Sequence, residues 1–155
     1  MNYEDIIKAM LTRGLIKKQK IDFSQIEVLL CRVKKDLKVA MHNLEIDEEA
    51  AYNYAYLSML RCGRSIVFLK GYRSVDGQQH KTIIELTVEI LGKDFKDFII
   101  KFDRMRRKRN QFTYDPLLPV SISEARNALK TAEDFVDKTI TWFKKENPQL
   151  QLDIN

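Results

Sequence analysis

Little in this chain bends or breaks its backbone. Its 155 residues include only five glycines and three prolines, and Pro116, Pro119 and Pro148 all fall in the last third. That scarcity excludes collagen-like, low-complexity and loop-dominated architectures. Two cysteines cannot staple a disulfide scaffold; Cys31 and Cys62 fall inside helical patterns and are expected to be reduced core thiols. Neither they nor the two histidines, His42 and His80, stand at a compact ligand spacing, so no metal and no cofactor is expected. Apolar runs such as Ile66 to Leu69 stop far short of the ~20 residues that cross a bilayer. The opening Met1 to Asp5 has no basic region followed by an apolar stretch, so the expected compartment is the cytoplasm, with no membrane partner. Gly-rich phosphate loops, nucleophile elbows and paired-carboxylate signatures are also missing.

What is present is helical periodicity. Apolar residues make up 45% of the chain, enough for one domain of this length. A first helix is expected over about 3 to 17, carrying Ile6, Ile7, Met10, Leu11 and Leu15. Asp22 and Ser24 are candidate caps for a second, with Ser24 and Glu27 at capping-box spacing. That helix has a buried stripe of Ile26, Leu29, Leu30, Val33, Leu37, Ala40, Met41 and Leu44. Asp47 to Glu49 place acids where a third helix begins. It runs to about Tyr72 and is rich in small and aromatic residues, with Arg73 to Gly77 as a turn. A fourth helix (78–91) ends at Gly92, a fifth covers 94–114, and Ser121 with Glu124 caps a sixth that stops near Asn147. No strand signal appears. The expected fold is all-α: an antiparallel up-and-down bundle of five to six helices. Residues 1–147 are expected to form a single domain and 148–155 a flexible C-terminal tail.

The charge is not spread evenly. Residues 101–109 hold six basic side chains and one acid, a local +5 that equals the formal net charge of the whole chain. Such a block raises the local concentration of anions, phosphates above all. On a helical wheel with Phe95 at zero, Phe98, Ile99, Phe102 and Met105 centre near roughly 340°. Arg106 and Arg109 fall at about 20° and about 320°, inside that apolar sector. Arg104, Arg107 and Lys108 fall at about 180°, about 120° and about 220°, on the opposite face. Two arginines on a core-directed stripe need partners. Those partners are either acids of the same chain, with Asp103, Glu85 and Glu89 in range, or a subunit interface or the phosphates of a ligand. Asn110 and Tyr114 share a face with Arg106 and add an amide and a phenol.

The run Arg106-Arg107-Lys108-Arg109-Asn110-Gln111-Phe112-Thr113-Tyr114-Asp115, closing a late helix of a small bundle, resembles the HEPN domains (higher eukaryotes and prokaryotes nucleotide-binding). The alternating Tyr and Ala of residues 51–56 resemble that family's aromatic-small helix. Gly71-Tyr72-Arg73 is similar to the turn that ends it, and His80 opens the next helix as in several members. The likeness spans about residues 24–143. It implies a helical bundle that dimerises, so that two motif helices face each other and build one positively charged cleft for RNA or nucleotide. Active members are metal-independent ribonucleases with an arginine, an asparagine, and a histidine four to six residues after the arginine. Arg109 and Asn110 match the first two positions, and Tyr114 stands where the histidine belongs. The resemblance thus makes Arg109, Asn110 and Tyr114 the candidate catalytic residues. Arg104, Arg106, Arg107, Lys108 and Arg109 are candidate nucleic-acid contacts, with His80 in support. It also implies toxin-like or defence-associated members paired with a nucleotidyltransferase-type antitoxin, for which Tyr114 is a loose candidate as a modified residue.

Metal-free cleavage needs a proton carrier working near neutral pH, which imidazole provides and an unperturbed phenol near ~10 does not. Three readings stand on the sequence: phosphate binding without cleavage, cleavage through a degenerate motif, and a non-catalytic adaptor whose arginines close internal ion pairs.

Overall fold

A computed structural model describes residues 2–75 and 79–150. Among them are six α-helices: α1 (Tyr3–Thr12), α2 (Phe23–Asn43), α3 (Glu48–Leu69), α4 (Gln79–Leu91), α5 (Lys96–Tyr114) and α6 (Ile122–Glu146). A 3-10 turn, Lys93–Phe95, leads into α5. The bundle is all-α but for two three-residue strands, β1 (Ile16–Lys18) and β2 (Tyr72–Ser74), paired antiparallel with Ile16 opposite Ser74.

The helix starts follow the local chemistry. Asn2 and Asp5 form a capping box on α1, as Ser121 and Glu124 do on α6. Asp47 caps α3 through the Ala50 amide at 3.1 Å. On α2 the cap is Asp22, whose Oδ1 accepts from the Ser24 and Gln25 amides, so the Ser24–Glu27 capping box does not form.

The third helix is the axis of the molecule, packed by α2, α4, α5 and α6. Its small residues Ala51, Ala55, Ser58, Cys62, Gly63 and Ser65 are all buried and let these neighbours approach closely. At Gly63 the approach is so tight that an added Cβ would lie 2.7 Å from Ile83 Cγ2 of α4. Aromatic rings tie the remaining elements to this axis. Tyr52 meets Phe112 edge-on at 5.5 Å, Tyr56 meets Phe102 at 5.7 Å, and Phe102 meets Phe135 at 6.0 Å. Tyr56, Phe102, Phe135 and Phe143 are fully buried. Each such apolar side chain contributes on the order of 1.5–3 kcal/mol relative to exposure.

The structure departs from the sequence expectation in several places, each with a local cause. The first helix ends at Thr12 because Gly14, at φ +70°, turns the chain into β1. The third ends at Leu69 because Gly71, at φ +88°, turns it into β2. Three-residue strands are too short to show alternation, so neither strand was legible. The turn expected over Arg73 to Gly77 is strand as far as Ser74; residues 76–77 lie outside the described residues. On α2 the buried line is Ile26, Leu30, Val33, Asp36 and Ala40, one step away from Cys31 and Met41, which are exposed. Cys31 is therefore not a core thiol, whereas Cys62 is buried. Leu150 is only 5% exposed and packs on the core, so the body continues past Asn147, and residues 151–155 of the expected tail lie outside the described residues.

Candidate functional site

The basic block sits on the C-terminal half of α5, and the wheel separates its members nearly as they lie in space. Arg107 is 68% exposed at its side chain and Arg106 only 20%. Arg104 is exposed, and Arg109 and Asn110 are half-buried. Lys108 departs from the expected solvated face: its Nζ pairs with Glu124 of α6 at 3.1 Å. Tyr114, at the end of the helix, is 85% exposed.

The two inward arginines meet different fates. Arg106 Nε donates to Asp103 Oδ1 at 3.1 Å, while Arg107 takes the other carboxylate oxygen at 2.6 Å. One acid thus serves two cations. Burial works to raise the Asp103 pKa, but the hydrogen bonds from Arg107 and Arg106 outweigh it and hold the group below its usual range. Neither Glu85 nor Glu89 pairs with either arginine among the described residues. Arg109 has no carboxylate partner among them at all: its Nε donates to Asn53 Oδ1 on α3 at 3.2 Å. A neutral amide orients the guanidinium without cancelling its charge.

Around Arg109 the bundle gathers side chains that the sequence did not group. One turn beyond Asn53, the Tyr56 hydroxyl lies 2.8 Å from His80 Nδ1, at the first turn of α4. Two turns further along α3 is Arg64, half-buried and also without a carboxylate partner among the described residues. Its pKa is lowered by burial and then by the neighbouring Arg61. Burial, followed by the positive charges of Arg64, Arg109 and Arg106, holds the His80 imidazole down at about 4. Burial pushes the Tyr56 phenol well up, against the opposing pull of Arg109, Arg106 and Arg64. Three guanidiniums therefore act on one Tyr–His pair, whose phenol is buried and whose imidazole is half-buried. Their sources are α3, for Arg64, and α5, for Arg106 and Arg109; α4 supplies the imidazole.

Of the residues singled out from sequence, Arg106, Arg109 and His80 are brought together, with Asn110 beside them on α5. The others are dispersed. Arg104 faces a groove of about 500 Å³ between α5 and α6, with Tyr52, Lys101, Asn127 and Lys130. Arg107 borders a second groove, about 520 Å³, between α4 and α5, which Arg106 and the Asp103 they share also line. Asn53, Tyr56 and Arg64 were missed as site residues. A signal for two of them did exist: Asn53 and Arg64 are eleven residues apart, within about 20° on the wheel of a helix whose middle is mostly apolar.

A family model for the HEPN domain matches residues 26–143, from the second helix to the last buried aromatic of α6. The chain belongs to the HEPN domain family. No curated protein and no solved structure matches it. For this HEPN domain, membership points to a nucleotide- or RNA-related function and agrees with its all-α bundle. No described helix is long and apolar enough to cross a membrane.

Proposed function

We propose that this HEPN domain binds the phosphates of RNA or nucleotide through the basic surface centred on Arg109, in a homodimer that brings two α5 helices to one cleft. The observation that carries the reading is the state of Arg109: half-buried, oriented by a neutral amide, and without a carboxylate partner among the described residues. A part-buried guanidinium without a carboxylate is costly, and an anion from outside relieves that cost. Arg104, Arg107 and Lys108 would extend the positive surface along the same helix. A toxin-like or defence-associated role, opposed by a nucleotidyltransferase-type antitoxin, follows from the family and from no single contact in the chain.

Binding without cleavage is favoured by the position of Tyr114. It extends into solvent at the end of α5, where the family's ribonucleases carry their histidine. Metal-independent cleavage would have to take its proton carrier from His80, which burial and the arginines keep neutral. The adaptor reading requires the inward arginines to be closed by internal acids, and this is met for Arg106 alone.

The test is the salt dependence of affinity for a single-stranded oligoribonucleotide, with and without Arg109→Ala. Each lost phosphate contact should make the slope of log K against log salt shallower by about 0.7, with no loss of urea resistance beyond about 1 kcal/mol. An unchanged slope together with a collapse in stability would return Arg109 to a structural role. Tyr114→Phe should leave both affinity and stability unaltered.

A further inference from the structure

The groove of about 500 Å³ between α5 and α6 collects donors from three helices. Buried Met105 of α5, Ala128 of α6 and Tyr52 of α3 form its floor. Tyr52 is only 6% exposed, yet its hydroxyl has no hydrogen-bond partner among the described residues. Its ring is held edge-on against Phe112 at 5.5 Å. Burial, then Glu124, push the phenol up to about 12 against the pull of Arg104, so it stays protonated and acts as a donor. A polar group so deeply placed is costly until something completes it, and the groove is where that partner sits.

The groove is also positive. Lys101 and Arg104 stand three apart on α5, about 5–6 Å between their Cβ atoms, and line the same wall. Both are exposed, and neither has a carboxylate partner among the described residues. Lys130 is matched by Asp134 at 2.9 Å. Glu124 is already engaged: one oxygen holds Lys108 at 3.1 Å and the other accepts from the Ser121 amide at 3.2 Å. The charges of Lys101 and Arg104 are therefore left over. Asn127 and Thr131, four apart on α6, line the opposite wall with an amide and a hydroxyl.

A phosphate accepts from several directions at once, which suits donors converging from α3 and α5 better than a planar carboxylate does. The groove is larger than a phosphate alone and falls in the size range that holds a small organic ligand. Tyr52 and Asn53 are consecutive on α3 and point about 100° apart. Asn53 holds Arg109 while Tyr52 lines this groove, so the two basic sites lie on different sides of the bundle.

We propose that the α5–α6 groove is a second binding site, for a nucleoside phosphate. Lys101, Arg104 and the Tyr52 hydroxyl hold the phosphate, and the nucleoside lies against Asn127 and Thr131. The phosphate is that of a free nucleotide or of one unit in an RNA strand. This site goes beyond the Arg109 surface and does not depend on it.

Isothermal titration calorimetry of the full chain tests it, with adenosine monophosphate, adenosine and an unphosphorylated hexaribonucleotide as probes. Affinity for the phosphate-bearing probe should fall about tenfold in Arg104→Gln and about tenfold in Tyr52→Phe, the scale of one hydrogen bond to a charged group. Arg109→Ala should leave monophosphate affinity within about twofold, as expected of separate sites. Binding of the monophosphate but not of adenosine would identify the free nucleotide as the ligand. Binding of the RNA strand alone, weakened by Arg104→Gln and Tyr52→Phe, would identify the strand; both outcomes support the site. Losses in these two variants, with Arg109→Ala without effect on any probe, would keep the groove and remove the Arg109 reading. Loss in Arg109→Ala alone would overturn the groove and leave the Arg109 reading standing. Loss in Arg104→Gln without loss in Tyr52→Phe would reduce the groove to diffuse surface charge and overturn the proposal. Adenosine binding as tightly as its monophosphate would overturn the phosphate assignment, and no binding of any probe would remove both sites. Backbone amide shifts of the wild type need no variant: on adding the bound probe they should include residues 101–105 and 124–131, and shifts confined to 53 and 106–110 would overturn the proposal.

Discussion

Replacing Gly63 with alanine probes how closely α4 must sit against α3 for the site to exist. Gly63 lies mid-helix, where alanine gains about 1 kcal/mol in helix propensity. The new methyl, however, would stand 2.7 Å from Ile83 Cγ2 and 3.1 Å from Thr87 Oγ1, with Phe102 Cε2 at 3.8 Å. Ile83 Cγ2 branches directly from Cβ, so it has no flexible end with which to yield, and in a helix its χ1 is confined to one well. Thr87 is tied to the Ile83 carbonyl by its own 2.7 Å hydrogen bond. The strain must be relieved by moving α4 outward by a few tenths of an ångström or more, an overpacking cost of about 1–3 kcal/mol. The net expectation is destabilisation by about 1 kcal/mol, or roughly 2–4 °C in Tm for a domain of this size. Because α4 carries His80, the 2.8 Å bond to Tyr56 should loosen as well. Urea unfolding of Gly63→Ala, Ile83→Leu and the double variant measures the coupling: removing the branch should restore about 1 kcal/mol to the alanine variant. A Gly63→Ala protein as stable as the wild type, with no coupling to Ile83→Leu, would refute the claim that this contact sets the α3–α4 distance.

Two other perturbations have clear signs. Asp36 is fully buried between α2 and α3, bonded to Arg61, with Arg32 Nε at 3.4 Å from its other oxygen. Asp36→Ala should cost about 2–4 kcal/mol in urea unfolding, less than a wholly buried pair because both arginines keep some solvent, and Asp36→Leu combined with Arg61→Met should recover most of it. His80 ties stability to pH: its folded pKa of about 4 lies below the usual ~6.5, so the unfolded chain binds more protons between these values and stability rises with pH across that window. The groups acting on the ring are Tyr56 and Arg64 from α3 and Arg106 and Arg109 from α5. With the half-exposed ring discounted for screening, wild type should lose about 1–2 kcal/mol relative to His80→Gln between pH 7 and pH 4.5. A difference independent of pH would show that the imidazole is not held neutral.

Much of the fold was legible because its determinants are local. Capping at Asp22 and Ser121 and the acids at Asp47 to Glu49 act within one turn, and the apolar stripes of α2, α5 and α6 recur at the helical period. The inward turn of Arg106 and Arg109 was legible for the same reason, since both sit on one rigid helix with Phe102 and Met105. The strands escaped notice because three residues of pairing leave no periodic trace, and Asp36 because an acid on an apolar stripe is explained only by Arg61 from another helix.

The charge of the candidate site was thus determined by composition and helical phase alone: a +5 block in residues 101–109, divided by the wheel into inward and outward members. Its character was decided in three dimensions. Whether an arginine is cancelled or left open depends on which side chains of other helices stand opposite it. Asp103 lies within reach of Arg106 along the same helix, whereas Asn53 reaches Arg109, and Tyr56 reaches His80, only because α3, α4 and α5 pack together. Phase along one helix is a property of neighbours in sequence; compensation of a buried charge is a property of neighbours in space.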